Sequence, residues 1–231
     1  MSHRFKILLL PLGLLLTAGA SAQEKNIPRV LFLGDPTQQP IIQAAKKELA
    51  GKADVHSPPS GNANDSGTAL AHIDKLLGDK PWDIIYFSYG IGDLFHKDPA
   101  TKDIRIMNKD AGGVRVSTPE QYEKNLDALV QRLKATKAKL IWASTIPLNG
   151  GHDSLFERDS EIEYNAIAAR VMARHQVPVI DLHAHIIAAF KTVRDAKRPY
   201  YTQYFRSMEQ RGTPAHALVV TAILARAAEP K

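Results

Sequence analysis

The stretch RVLFLGDPTQQP, Arg29–Pro40, sets an apolar β-rich run against a Gly-Asp turn and the start of a helix. Arg29–Leu33 reads as a strand, and IIQAAKKELA, from Ile41, as the helix that follows it. The proline between them has a local reason. Asp35 can cap the helix while Pro36 takes its first position, where a fixed φ suits the turn and the absent N–H is not missed.

Outward from this unit the same alternation repeats. ADVHS is a short second strand, and Ser66–Leu77 places Leu70, Ile73, Leu76 and Leu77 on one helical face. WDIIYFS, Trp82–Ser88, is a continuous apolar run suited to a strand buried on both faces of a parallel sheet. IRIMNKDAGGVRVS reads as a small hairpin or loop excursion turning at Gly112-Gly113. Thr118, Pro119 and Gln121 then form a capping box with proline at the first helical position. Tyr122, Leu126, Leu129, Val130 and Leu133 follow on a common face. AKLIWAST is the fourth strand, EIEYNAIAARVMARH a helix, VPVIDL the fifth strand, and a last helix begins at Thr213-Pro214.

Strands alternating with helices predict an α/β fold, a three-layer α/β/α sandwich around a five-stranded parallel sheet. Ligands of such sheets bind beyond the carboxyl ends of the strands. Four segments should therefore converge there: Gly34–Gln38, Gly61–Ser66, Ser88–Leu94 and Glu209–Thr213.

The first residues carry a different message. Arg4 and Lys6 form a basic head, Ile7–Leu16 an apolar run broken by Pro11 and Gly13, and Ala20-Ser21-Ala22 a small-residue cleavage site. These predict a signal peptide over 1–22, cleavage near Ala22, and export to a periplasmic or extracellular space. No stable membrane anchor is expected afterwards, because the run falls short of the roughly 20 residues a span needs. The remaining residues 23–231 are expected to form a single domain. Loss of Arg4 and Lys6 leaves 28 basic against 24 acidic residues, about +4, with no Lys or Arg block of the kind that binds nucleic acid. The chain has no cysteine, which excludes thiol chemistry and disulfides.

In order and spacing these segments resemble the SGNH (GDSL-type) hydrolases, secreted lipases and esterases, and more closely a bacterial subgroup of exported members. The likeness runs from Arg29 to about Ala228. It rests on GD after the first strand, PPSGNANDS after the second, WDIIYFSYGIGDL at the third, YEKNLDALVQRLKATKAKLIWASTIP, and TPAHALVV at the end. The resemblance implies four catalytic elements: a serine nucleophile in Gly-Asp-Ser, a backbone glycine and a side-chain asparagine in the oxyanion hole, and an acid-histidine base. Each fails at its matching place. The serine position is Pro36, the glycine falls on Asn64 (with Gly61 or Gly67 as alternatives in another register), the asparagine is Gly92, and Glu209 and Arg211 stand for the acid and the histidine. Asp93 is kept. Proline has no hydroxyl, and arginine is no general base at neutral pH.

A displaced set of Thr37, His216 and Glu209 is the catalytic alternative. Against it, one residue's shift at a helix start swings a side chain by about 100°. Asp181, His183 and His185 alternate as zinc ligands can, but no second cluster supplies a fourth ligand, so no metal is expected and Asp181 should serve the following helix. GDPTQQP lacks the Gly- or Ser/Thr-rich loop a phosphate or flavin requires, so no cofactor is expected. Tyr86, Phe87 and Phe95 read as core, whereas Tyr89, next to Gly90 in the ligand-facing loop, is a candidate cleft residue. RPYYTQYFR, Arg198–Arg206, is either a contact surface or a packed connector. The expected function is ligand binding without catalysis in the former cleft formed by Asp35, Pro36, Asn64, Tyr89, Gly92, Asp93 and Arg211. The ligand would be a carbohydrate, another polar ligand or an acylated small molecule, or the cleft would hold a protein partner. The alternative is an esterase or acetylhydrolase with an atypical catalytic set. On the mechanism the resemblance implies, measurable esterase activity should require at least Pro36→Ser and Arg211→His together, and should improve when Gly92→Asn and Asn64→Gly restore oxyanion stabilisation.

Overall fold

The computed structural model describes residues 27–58, 64–101, 104–148, 154–189 and 214–230. The expected signal peptide, Gly61, the Arg198–Arg206 segment, Glu209 and Arg211 lie outside the described residues.

Strand β1 (Arg29–Gly34) sits between β2 (Asp54–His56) and β3 (Ile84–Ser88), and β6 (Lys139–Ala143) and β7 (Val179–Ile180) complete a parallel sheet of order β2-β1-β3-β6-β7. The β1–β3 register runs from Val30 opposite Ile84 to Gly34 opposite Ser88. It sets the Gly34-Asp35 turn beside the end of β3, where the Asp35 N–H donates to the Ser88 carbonyl at 3.2 Å. Every residue of β3 is buried, as its unbroken apolar run demands.

Helix α1 (Gln39–Glu48) packs against the last helix, α8 (Ala215–Ala228), and α5 (Pro119–Ala135) packs against α2 (Ser66–Ala71) and α6 (Ser160–His175). Right-handed crossovers account for the two groups on opposite faces of the sheet. The start of α5 follows its capping box: the Gln121 N–H donates to Thr118 Oγ1 at 3.3 Å, and the Thr118 N–H to Gln121 Oε1 at 2.9 Å. Its buried face is Tyr122, Leu126, Leu129, Val130 and Leu133, as the spacing predicts.

Two expectations change in detail. Ser66–Leu77 is broken at His72 (φ −112°, ψ 14°) into α2 and α3 (Ile73–Leu77), which turns Ala69, Ile73 and Leu77 inward and leaves Leu70 and Leu76 half-buried. The excursion after β3 contains the short α4 (Ile91–Leu94) and then an antiparallel pair, β4 (His96–Lys97) with β5 (Val114–Arg115). The chain does turn at Gly112, which holds φ +93°. The strand that β5 meets is His96–Lys97, however, and Ile106 joins through a single bridge to Lys97. After β7, Asp181 accepts the Ala184 N–H at 2.8 Å at the start of α7 (Leu182–Ala189), the helix-serving role expected of it.

Candidate active-site cleft

At the carboxyl ends of β1 and β3 the chain leaves a cleft of about 920 Å³. Its floor and walls come from Pro36 and Thr37, from Asn64 to His72, from Ile91 and Gly92, and from the β4–β5 excursion. Three of the four expected segments thus meet here, as far as they are described.

Asp35 caps the 3-10 turn Pro36–Gln38 that leads into α1, with Pro36 at its first position. Asp35 Oδ1 accepts the Thr37 N–H at 3.0 Å and also the Thr37 hydroxyl. The carboxyl is fully buried. Burial pushes its pKa up to about 6, against the lowering pull of the Thr37 hydroxyl and the amides of Thr37 and Ile91. The turn therefore presents a proline ring to the cleft.

Gly92 decides what the cleft can do. A Cβ built on it would lie 1.7 Å from the Asn64 carbonyl oxygen, 2.6 Å from the Asn64 carbonyl carbon and 3.1 Å from the Asp65 Cα. The space that a side-chain donor at position 92 would enter is occupied by main chain. The nearest atom is moreover a carbonyl oxygen, an acceptor rather than a donor. An asparagine at position 92, expected to help rebuild an oxyanion hole, does not fit unless this main chain shifts.

The profile of the GDSL-like lipase/acylhydrolase family matches residues 34–205, about three quarters of the chain. The chain belongs to that family. Among solved structures, the lipase/acylhydrolase from Enterococcus faecalis aligns with TM-score 0.62 at 17% identity, covering 87% of this chain and 97% of that one. An acetyl xylan esterase aligns with TM-score 0.58 at 17% identity over 80% and 98%. The acetylxylan esterase from Geobacillus stearothermophilus gives 0.56 at 15% identity over 88% and 95%. Likeness at these identities shows the shared α/β fold. No curated protein matches in sequence.

Within this GDSL-like domain, several expected cleft residues take other places. Asp93 is fully buried under the cleft: Oδ1 accepts the hydroxyls of Ser66 (2.6 Å) and Ser117 (2.7 Å), and Oδ2 the Ser66 N–H (3.0 Å). Burial raises its pKa to about 7 despite those bonds. It ties the start of α2 to the approach of α5, with Asn125 donating to Ser66 Oγ at 3.1 Å. Tyr89, expected in the cleft, is 1% exposed and belongs to the core; its carbonyl accepts the Tyr122 hydroxyl at 2.6 Å. Gly90 is needed beside it, since a Cβ there would meet Thr145 Oγ1 at 2.0 Å.

Of the displaced set, Thr37 and His216 do not meet, and Glu209 lies outside the described residues. His216 Nε2 pairs with Glu48 Oε2 at 3.4 Å, at the far end of α1 from Thr37. Nine steps of α1 at 1.5 Å separate Gln39 from Glu48, about 13 Å along the axis. Asp181 and His183 likewise face separate partners: Asp181 Oδ1 takes Ser144 and the Ala184 N–H, and His183 Nε2 lies 3.4 Å from Glu161 Oε1. Ser66 and Ser117, which hold Asp93, and Asn125, which holds Ser66, carry no sequence signal that marked them. Ser66 closes the PPSGNANDS block, where Asn64 and Gly61 drew the reading instead.

Proposed function

We propose that this chain is an exported, non-hydrolytic member of the GDSL-like lipase/acylhydrolase family whose cleft binds a small ligand. The observation that carries the reading is the Asn64 carbonyl standing where the oxyanion-hole side chain would enter. Pro36 at the nucleophile position supports it. Losing a triad serine or histidine alone lowers turnover by about a millionfold. The fold, with its open cleft, is retained without the chemistry. Ligands to try include acetylated saccharides, because two of the aligned structures are acetyl xylan esterases. No nucleic acid is expected to bind.

A second reading, an esterase or acetylhydrolase with an atypical nucleophile, is favoured by one contact: Thr37 lines the cleft and its hydroxyl is bonded to Asp35. One experiment separates the two. The isolated protein is treated with a fluorophosphonate probe and a panel of acetyl esters, and its melting temperature is followed with intact acetylated xylo-oligosaccharides. Binding without labelling or turnover is the expected result. Labelling that disappears in Thr37→Val establishes the second reading. Export is tested by mass spectrometry of the secreted or periplasmic protein, which should begin at or near Gln23; the full-length chain in the membrane fraction would contradict it.

A further inference from the structure

The parallel strands give the sheet two unlike poles. The cleft takes the carboxyl end. At the amino end Arg29 opens β1, Ile84 opens β3 and Lys139 opens β6, around a second recess of about 760 Å³. Five steps of β1 at about 3.3 Å separate it from the Gly34-Asp35 turn, roughly 16 Å along the strand. The turn between α5 and β6 and the end of α8 close its sides.

Its charge is one-sided. Arg29, Lys137, Lys139 and Arg226 line the recess against two acids, Asp83 and Glu229. Both acids are already engaged: Asp83 Oδ2 accepts the Arg29 N–H at 2.9 Å, and Glu229 Oε2 pairs with Arg226 Nη1 at 2.5 Å. Lys139 Nζ donates to the carbonyls of Arg226 (2.9 Å) and Glu229 (2.5 Å), at the carboxyl end of α8. Those oxygens fix the ammonium in place but carry only partial charge, so it stays largely uncompensated. Neither Lys137 nor Lys139 has a carboxylate partner among the described residues. Arg29 is also held, its guanidinium over the Trp82 ring at 4.5 Å from the centroid and Nη1 donating to the Pro81 carbonyl at 2.5 Å.

Lys137 adds a backbone observation. It takes φ +63°, just past the C-cap of α5, a position where glycine alone escapes the steric cost. The chain keeps a cation at the rim of the recess in spite of that cost. Two ammonium groups act as point charges for a dianion such as a phosphate group. The recess is far larger than one oxyanion needs and has the size that holds small organic ligands.

We infer that this recess binds a small phosphomonoester, its phosphate at Lys137 and Lys139 and its uncharged body toward Pro81 and Trp82. The inference is independent of whether the cleft at the other pole is catalytic.

The test is calorimetric titration of the isolated protein, in phosphate-free buffer, with glucose 6-phosphate, inorganic phosphate and glucose. Glucose 6-phosphate should bind saturably, inorganic phosphate more weakly, and glucose not at all. Lys137→Gly should weaken glucose 6-phosphate about fivefold, with a melting temperature at or above wild type because glycine tolerates the positive φ. Lys137→Arg should keep the wild-type affinity. Lys97→Met, which removes a cation lining the cleft, should also leave it unchanged. Absence of glucose 6-phosphate binding, glucose bound as tightly as its phosphate, or an unchanged affinity in Lys137→Gly would overturn the inference. Inorganic phosphate bound as tightly as glucose 6-phosphate would overturn the role of the organic body. Binding lost in Lys97→Met would place the ligand in the cleft and overturn the assignment to this pole.

Discussion

Adding an asparagine at position 92 is the sharpest perturbation of this cleft. The new Cβ would stand 1.7 Å from the Asn64 oxygen and 2.6 Å from its carbonyl carbon, so no choice of rotamer relieves the overlap. The 64–65 main chain would have to retreat by about 1.5 Å to reach ordinary contact. That retreat would pull on the Asp65 cap of α2 and on the Ser66 bonds to Asp93. Overpacking costs about 1–3 kcal/mol and a lost cap about 1 kcal/mol, giving roughly 3 kcal/mol together. For a chain of this size each kcal/mol moves the melting temperature by about 2–4 °C, so a fall of roughly 6–12 °C is expected. Gly92→Ala should lose nearly as much, because the clash begins at Cβ. Adding Asn64→Gly should recover almost nothing, since the obstacle is main chain, and the two changes should show little favourable coupling. Thermal melts and p-nitrophenyl acetate turnover across the wild type, both single variants and the double are the measurements. A Gly92→Asn protein melting within about 2 °C of wild type, or a double variant that gains ester cleavage, refutes the reasoning.

Three further outcomes follow from the geometry. Asp35 and Asp93 have folded-state pKa values raised to about 6 and about 7, so their stabilisation is fully present below about pH 4 and is lost as pH climbs through those values. The loss is on the order of 3 kcal/mol per group, so the denaturant midpoint of wild type minus that of Asp93→Asn should fall between pH 4 and 8; a rise would contradict the assignment. Thr118→Ala should cost about 1 kcal/mol through the α5 cap without altering ligand affinity, as read by denaturant melts and the same titrations. Pro36→Ser and Arg211→His, singly or together, should leave p-nitrophenyl acetate cleavage at background, because the oxyanion site stays blocked by the Asn64 carbonyl.

Local signals were read well from sequence because their causes lie within a few residues. The capping box at Thr118 and the cap at Asp35 each need one turn of chain to specify, and the buried face of α5 about three. Apolar runs placed β1 and β3 for the same reason. What escaped depends on contacts between distant segments. The break at His72 has no proline or glycine to announce it. Tyr89 looked ligand-facing beside Gly90, but the close approach of Thr145 turns that loop inward. The missing asparagine at position 92 was visible, yet the backbone 28 residues earlier that fills its place was not. Lys97 and Ile106 meet across the excursion with no periodic pattern to foretell it.

The strand order also sets a delay during synthesis. Phe32, Leu33 and Gly34 pair with β3 alone, because β2 reaches only Arg29 to Leu31. About 50 residues separate Gly34 from Ile84. At roughly 5–20 residues per second, the apolar half of β1 waits about 3–10 s for its partner strand to emerge. Through that interval RVLFLG is a short sticky segment, guarded by Arg29 at one end and Asp35 at the other, charges that hold off premature pairing with another copy.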